Sequence, residues 1–196
     1  TATLRTWDGK RPDISLTTNG LGLKHRAAKL KAAGLNRVNL SMDSADRDTY
    51  ATMTRRDRFD DAVAGAEAAA NVGLNPVKLN AVLMPGVNDA GAPAVLANAL
   101  MNGYELRFIE HMPLGPRGKW KRSEIITSDD IHGLLEEHFT LTARPGTERG
   151  ASPAELWDVA PGCYNGVDHP GGSVGIIASV TRPFCGDCDR TRLTAD

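Results

Sequence analysis

Near the end of the 196-residue chain, Cys185-Gly186-Asp187-Cys188 sets two thiols three residues apart, and Arg190 and Arg192 follow at once. Thiolates at that spacing can face one metal centre, and two arginines two apart on an extended segment lean to one side. The combination suits an anionic ligand held beside a metal. A C-x-x-C pair alone serves redox, zinc and iron–sulfur sites alike. Thioredoxin-type chemistry wants the pair at the start of a helix, and Asp187, Asp189 and Arg190 with no apolar helix after them argue against it. A tetrahedral zinc site is the plain structural alternative; it needs two more N or S ligands, and neither His nor Cys follows Cys188.

The elements that must hold such a site come from a chain that is 41% hydrophobic with net charge −1. That is enough apolar material for a globular core. Near-zero net charge gives no field to recruit nucleic acid or a membrane surface, so anion binding must come from local Lys and Arg. No apolar run is long enough to span a bilayer. Three cysteines, two of them in C-x-x-C, fit a reducing cytoplasm and a metal better than a disulfide framework. Thr1-Ala2-Thr3-Leu4 has neither an initiator Met nor a targeting pattern, so the expectation is a fragment.

From Pro12 to Glu110, apolar strand-like runs alternate with periodic helix-like ones, the pattern of βα units around a parallel sheet. Strands are expected at Asp13–Leu16, Arg37–Leu40, Pro76–Leu83 and Glu105–Ile109. Helices are expected at Leu23–Ala33, around Arg47–Met53, along Phe59, Val63, Ala66 and Ala70, and after an N-cap at Asn88 or Asp89. Beyond Glu110 comes a basic loop, Gly115–Ser123. Thr127 and Asp130 then start a helix through Phe139 in capping-box fashion. Leu141–Arg144, Leu156–Val159 and Ser173–Val180 read as an antiparallel addition, with an irregular Gly/Pro/Asn-rich stretch at Pro161–Gly172. The expected fold is α/β: a partial (β/α) TIM-type barrel with a C-terminal antiparallel β addition. Residues 1–113 would form the barrel units and 114–196 the start of the region carrying the cysteine pair.

In parallel α/β barrels the ligand sits at the carboxyl ends of the strands, and here those ends are polar. The first runs into Thr17-Thr18-Asn19-Gly20, the second into Ser41-Met42-Asp43-Ser44, and the fourth into Glu110-His111-Met112. The third contains Lys78 and Asn80, two apart and so on one face. A Lys within an apolar strand is costly unless it meets an anion or water. Singly, Thr17 and Asn19 could shape a turn, Ser41 cap a helix, and Met112 fill a core. Recurrence at successive strands favours a binding site.

Five runs carry a resemblance: Leu16-Thr17-Thr18-Asn19-Gly20, Val38-Asn39-Leu40-Ser41-Met42-Asp43-Ser44, Val77-Lys78-Leu79-Asn80-Ala81-Val82, Leu106 to Pro113, and Phe184 to Arg192. In order, and over nearly the whole chain, they resemble the GTP 3′,8-cyclases of molybdenum cofactor biosynthesis, a radical S-adenosylmethionine (SAM) family. The resemblance implies a lyase with two [4Fe-4S] clusters and SAM. It would convert GTP to (8S)-3′,8-cyclo-7,8-dihydroguanosine 5′-triphosphate through a 5′-deoxyadenosyl radical, and the product would pass to the cyclic pyranopterin monophosphate synthase. It implies SAM contacts at Ser41 and Met112, GTP contacts at Thr17, Lys78, Arg190, Thr191 and Arg192, and cluster ligation by Cys185 and Cys188. A homodimer is compatible with it; nucleic-acid and membrane partners are not expected.

The departures matter too. The family's C-x-x-x-C-x-x-C and Gly-Gly-Glu-Pro runs do not occur in this chain, and the third C-terminal cluster cysteine is expected past Asp196. Cys163 is a poor substitute ligand by position. The 196 residues alone are therefore expected to be inactive. Two rival readings are a truncated homologue that only binds nucleotide or a partner, and a radical SAM enzyme with an accessory cluster and a peptide substrate. The Arg190/Arg192 pair favours a triphosphate over a peptide.

Overall fold

Alternation in the strands decides how the sheet is built. In Arg37–Ser41 (β2), Val38 and Leu40 are buried while Arg37, Asn39 and Ser41 take the other face; in Val77–Val82 (β3), Val77, Leu79 and Ala81 are buried opposite Lys78, Asn80 and Val82. Glu105–Ile109 (β4) repeats this, with Leu106 and Phe108 buried. A strand has a side-chain period of two, so in-register pairing makes these into one apolar and one polar sheet face.

The structure, a computed structural model, describes residues 5–112, 125–145 and 153–182. Ser15–Thr18 (β1), β2, β3, β4 and Gly172–Ile177 (β9) run parallel, and Glu155–Val159 (β6) and Leu141–Ala143 (β5) continue the sheet antiparallel, in the order β1-β2-β3-β4-β9-β6-β5. The helices are Leu23–Ala32 (α1), Arg47–Thr54 (α2), Phe59–Asn71 (α3), Ala92–Met101 (α4) and Ser128–Glu136 (α5). Residues of α1, α3, α4 and α5 join Val38, Leu40, Leu79, Phe108 and Ile176 in one core.

Close packing at the first βα turn depends on two glycines. Gly20, at φ +81°, follows β1, and a Cβ on Gly65 of α3 would stand 2.6 Å from the Gly20 carbonyl oxygen. Only the absence of a side chain lets α3 approach that turn. At the other end of the sheet, α5 begins as expected: Thr127 Oγ1 accepts from the Asp130 amide, and the Asp130 carboxylate accepts from the Thr127 amide.

Four local expectations change. β1 lies at Ser15–Thr18 rather than Asp13–Leu16, so Thr17 is within the strand. α4 is capped by neither Asn88 nor Asp89: a 3-10 turn spans Asp89–Gly91, Gly91 is the N-cap, and the Asn88 amide instead donates to the Asp43 and Val82 carbonyls. The stretch expected to be irregular holds a hairpin, Gly162–Tyr164 (β7) with Val167–His169 (β8), whose turn places Asn165 and Gly166 at positive φ. β9 is not simply part of an antiparallel addition, because it pairs parallel with β4 and antiparallel with β6.

Candidate functional site

A parallel sheet normally buries both faces. Here the face turned away from α1, α3 and α4 is polar, and strand register organises it into rows. Thr17, Asn39, Lys78 and Glu105 are opposed in sequence across β1 to β4, and Ser41, Asn80, Arg107 and Gly175 form the next row toward the carboxyl ends. Neighbouring strands lie about 4.8 Å apart and alternate residues about 6.7 Å along a strand, so Thr17, Ser41 and Lys78 fall within the span of a nucleotide.

Lys78 carries the chemistry of the first row. Its side chain is 14% exposed and its Nζ lies 2.6 Å from Glu105 Oε2. Burial pulls the ammonium pKa below its ordinary value, and Arg107 and Arg37 push the same way, against the attraction of Glu105. An anion arriving here would meet a desolvated ammonium, paired with Glu105 and close to the Arg107 guanidinium. Gly175 makes room for that guanidinium: a Cβ there would stand 3.2 Å from Arg107 Cγ and 3.0 Å from the Ala154 Cβ.

Two buried side-chain oxygens on this face, Asn39 Oδ1 and Asn80 Oδ1, have no hydrogen-bond partner. An unpaired buried polar atom costs on the order of 1–3 kcal/mol, so two together fit a surface built for a ligand that brings its own donors. Ribose hydroxyls, amino groups and purine N–H groups are donors of that kind. A metal is a different matter: among the described residues no group of three His, Cys, Asp or Glu could hold one.

Above the rows, the carboxyl ends of β2 and β3 are tied together. Asp43 Oδ1 accepts from the Val82 amide at 2.8 Å, and Asn88 Oδ1 accepts from the Met84 amide at 2.8 Å. Burial raises the Asp43 pKa, only partly offset by that backbone bond.

Thr17, Ser41 and Lys78 therefore share one face, although Lys78 is the second residue of β3 rather than its end. Met112 stands three residues past β4 at the carboxyl edge and is 37% exposed. Cys163 is exposed on β7. Cys185, Cys188, Arg190, Thr191 and Arg192, with the whole basic loop Gly115–Ser123, lie outside the described residues. Sequence reasoning passed over Asn39, Glu105 and Arg107. The signal that singled out Lys78, a polar residue on the alternate position of an apolar strand, marks all three.

The chain is similar to known proteins along its length. The Radical SAM superfamily pattern matches residues 3–97, and that of Molybdenum Cofactor Synthesis C matches residues 104–196. A GTP 3′,8-cyclase of Corynebacterium glutamicum is 52% identical over 197 aligned positions, covering 100% of this chain and 51% of that protein. A GTP 3′,8-cyclase of Streptomyces coelicolor is 54% identical, covering 95% of this chain and 52% of its own length. One from Mycolicibacterium smegmatis is 53% identical, covering 95% and 50%. The chain thus spans about half the length of the curated relatives it matches. With two family patterns in tandem and such identity from end to end, this chain belongs to the GTP 3′,8-cyclase family of radical SAM proteins.

Proposed function

We propose that this chain supplies the substrate-binding half of a GTP 3′,8-cyclase, a lyase of molybdenum cofactor biosynthesis acting in the cytoplasm. The observation that carries the reading is the polar face of an otherwise apolar parallel sheet, where Lys78 is desolvated beside the unpaired oxygens of Asn39 and Asn80. In this reading Thr17, Lys78, Arg190, Thr191 and Arg192 hold GTP, with the cations on its phosphates. Guanidinium forks and phosphate oxygens make charge-assisted bonds of roughly 1.5–3 kcal/mol each. Ser41 and Met112 contact SAM, and Cys185 and Cys188 ligate the cluster nearest the substrate.

Bound SAM and the clusters would supply the radical that starts the chemistry. The residues of this chain place ribose and purine in reach of each other and keep the triphosphate neutralised. The 196 residues contain no C-x-x-x-C-x-x-C motif, and by themselves they are expected not to turn over. Domain 1–113 would carry the sheet side of the site, and 114–196 the cysteine and arginine side. A homodimer and transfer of product to the cyclic pyranopterin monophosphate synthase belong to the same proposal.

The test uses an enzyme with both clusters loaded. Arg192→Ala and Lys78→Met should each weaken GTP binding at least about tenfold, equivalent to roughly 1.4 kcal/mol. Dithionite-driven SAM cleavage should survive Arg192→Ala better than formation of cyclised product. If GTP affinity is unchanged and SAM binding is lost instead, the two ligands have been assigned to the wrong residues.

A further inference from the structure

Glu110 stands one residue past β4 with 1% of its surface exposed, and none of the roles above uses it. A carboxylate is among the costliest groups to bury, and it stays charged only if its lone pairs are filled. Here they are. Oε1 accepts from the Ser128 amide at 2.9 Å and from the Thr181 hydroxyl; Oε2 accepts from the amides of Val180 and Thr181, both at 2.8 Å.

These donors belong to two different segments. Ser128 is the first residue of α5, and Val180 and Thr181 follow β9. The Glu110 main chain joins in: its amide donates to the Ile177 carbonyl at 3.1 Å, and its carbonyl accepts from Ser179 Oγ at 3.0 Å. Arg182 completes the tie by donating to Ser128 Oγ at 2.8 Å and pairing with Glu155 at 3.2 Å. One carboxylate thus joins the exit of β4, the start of α5 and the exit of β9. In sequence, the first exit leads to Met112 two residues on, and the last leads to Cys185 three residues beyond Arg182.

We propose that Glu110 is a positioning residue: its carboxylate fixes residues 178–182 to the end of β4 and so sets where the chain bearing Cys185, Cys188 and Arg192 departs from the sheet. The meaning of that departure point rests on the functional reading above; the clamp itself rests on the hydrogen bonds. Its geometry demands a carboxylate. A glutamine of the same size would turn an NH2 group toward N–H donors and leave at least one of them unpaired.

Two variants of the full-length, cluster-loaded enzyme test this, Glu110→Gln and the milder Thr181→Val, with Thr181→Ser as the conservative control. Glu110→Gln should speed amide hydrogen exchange at Ser128, Val180 and Thr181 by at least about tenfold, since the local opening free energy falls. It should also weaken GTP binding at least about tenfold and lower the iron content, while SAM affinity stays within about threefold, because the α5 start and the β9 exit are released while β4, which leads to Met112, keeps its ladders to β3 and β9. Thr181→Val should show the same split more weakly, and Thr181→Ser should restore the parent behaviour. Unchanged exchange would overturn the clamp. Faster exchange with GTP affinity and iron intact, or parallel loss of GTP and SAM with a lowered Tm, would reduce Glu110 to an ordinary stabilising residue. If the parent enzyme itself fails to bind GTP, the functional reading falls, while exchange and iron content still judge the clamp.

Discussion

A carboxylate at the carboxyl edge of a sheet behaves according to the donors it meets, and two here behave oppositely. Burial pushes Glu110 upward, but bonds from Thr181, Val180 and Ser128 outweigh it and hold the carboxyl below its usual range. A depressed folded pKa contributes stability that is present above the unfolded value and lost as pH falls through the folded one. Asp43 has one backbone donor and a pKa raised by burial, so its charged form carries a penalty at neutral pH that is relieved as pH falls through its folded pKa. Asp43→Asn keeps an acceptor for the Val82 amide and removes the buried charge. It should unfold in urea at the same concentration as the parent protein or a higher one at neutral pH, with the difference shrinking toward acid. A lower midpoint at neutral pH would mean that the charge has a partner the stability depends on.

Elements here are positioned by contacts too short in sequence to look important. Gly20 and Gly65 let α3 lie on the turn that ends β1, and β1 carries Thr17. Gly65→Ala would raise helix propensity, worth up to about 1 kcal/mol, yet must open a 2.6 Å approach to the Gly20 carbonyl. The clash should win, with a net loss of about 1–3 kcal/mol in denaturant unfolding. Because that turn follows β1 directly, the proposed role of Thr17 makes GTP affinity fall alongside. A neutral or stabilising Gly65→Ala would show that α3 can shift without cost. Asn88 makes the companion point: its residue type suggests a helix cap, but the carbonyls of Asp43, just past β2, and Val82, in β3, are better partners for its side-chain amide in the fold.

At the scale of the molecule, one core serves the described residues from β1 to β9, because β9 inserts beside β4 and Ile176 packs with residues from β2 to β4. Phe108, fully buried in the central strand β4, should cost about 3–5 kcal/mol when cut to Ala. Its loss should perturb both the 3–97 and the 104–196 segments in hydrogen exchange; a local effect would make them separate cooperative units. Much of this was legible in the sequence. The period-two runs give β2, β3 and β4, and helical spacing gives α1, α3 and α5, because local periodicity records which face is buried. Lys78 stood out in the sequence since a lone cation in an apolar strand has few satisfactory environments, and the fold gives it Glu105 as a partner. The hairpin at β7 and β8 was not, because three-residue strands carry too little pattern to separate from a loop. Only the tertiary structure decided the register that puts Thr17, Asn39, Lys78 and Glu105 in one row, since strand neighbours depend on partners far along the chain. It alone decided the fate of Glu110, because a carboxylate becomes a clamp only when the donors of Ser128, Val180 and Thr181 are folded around it.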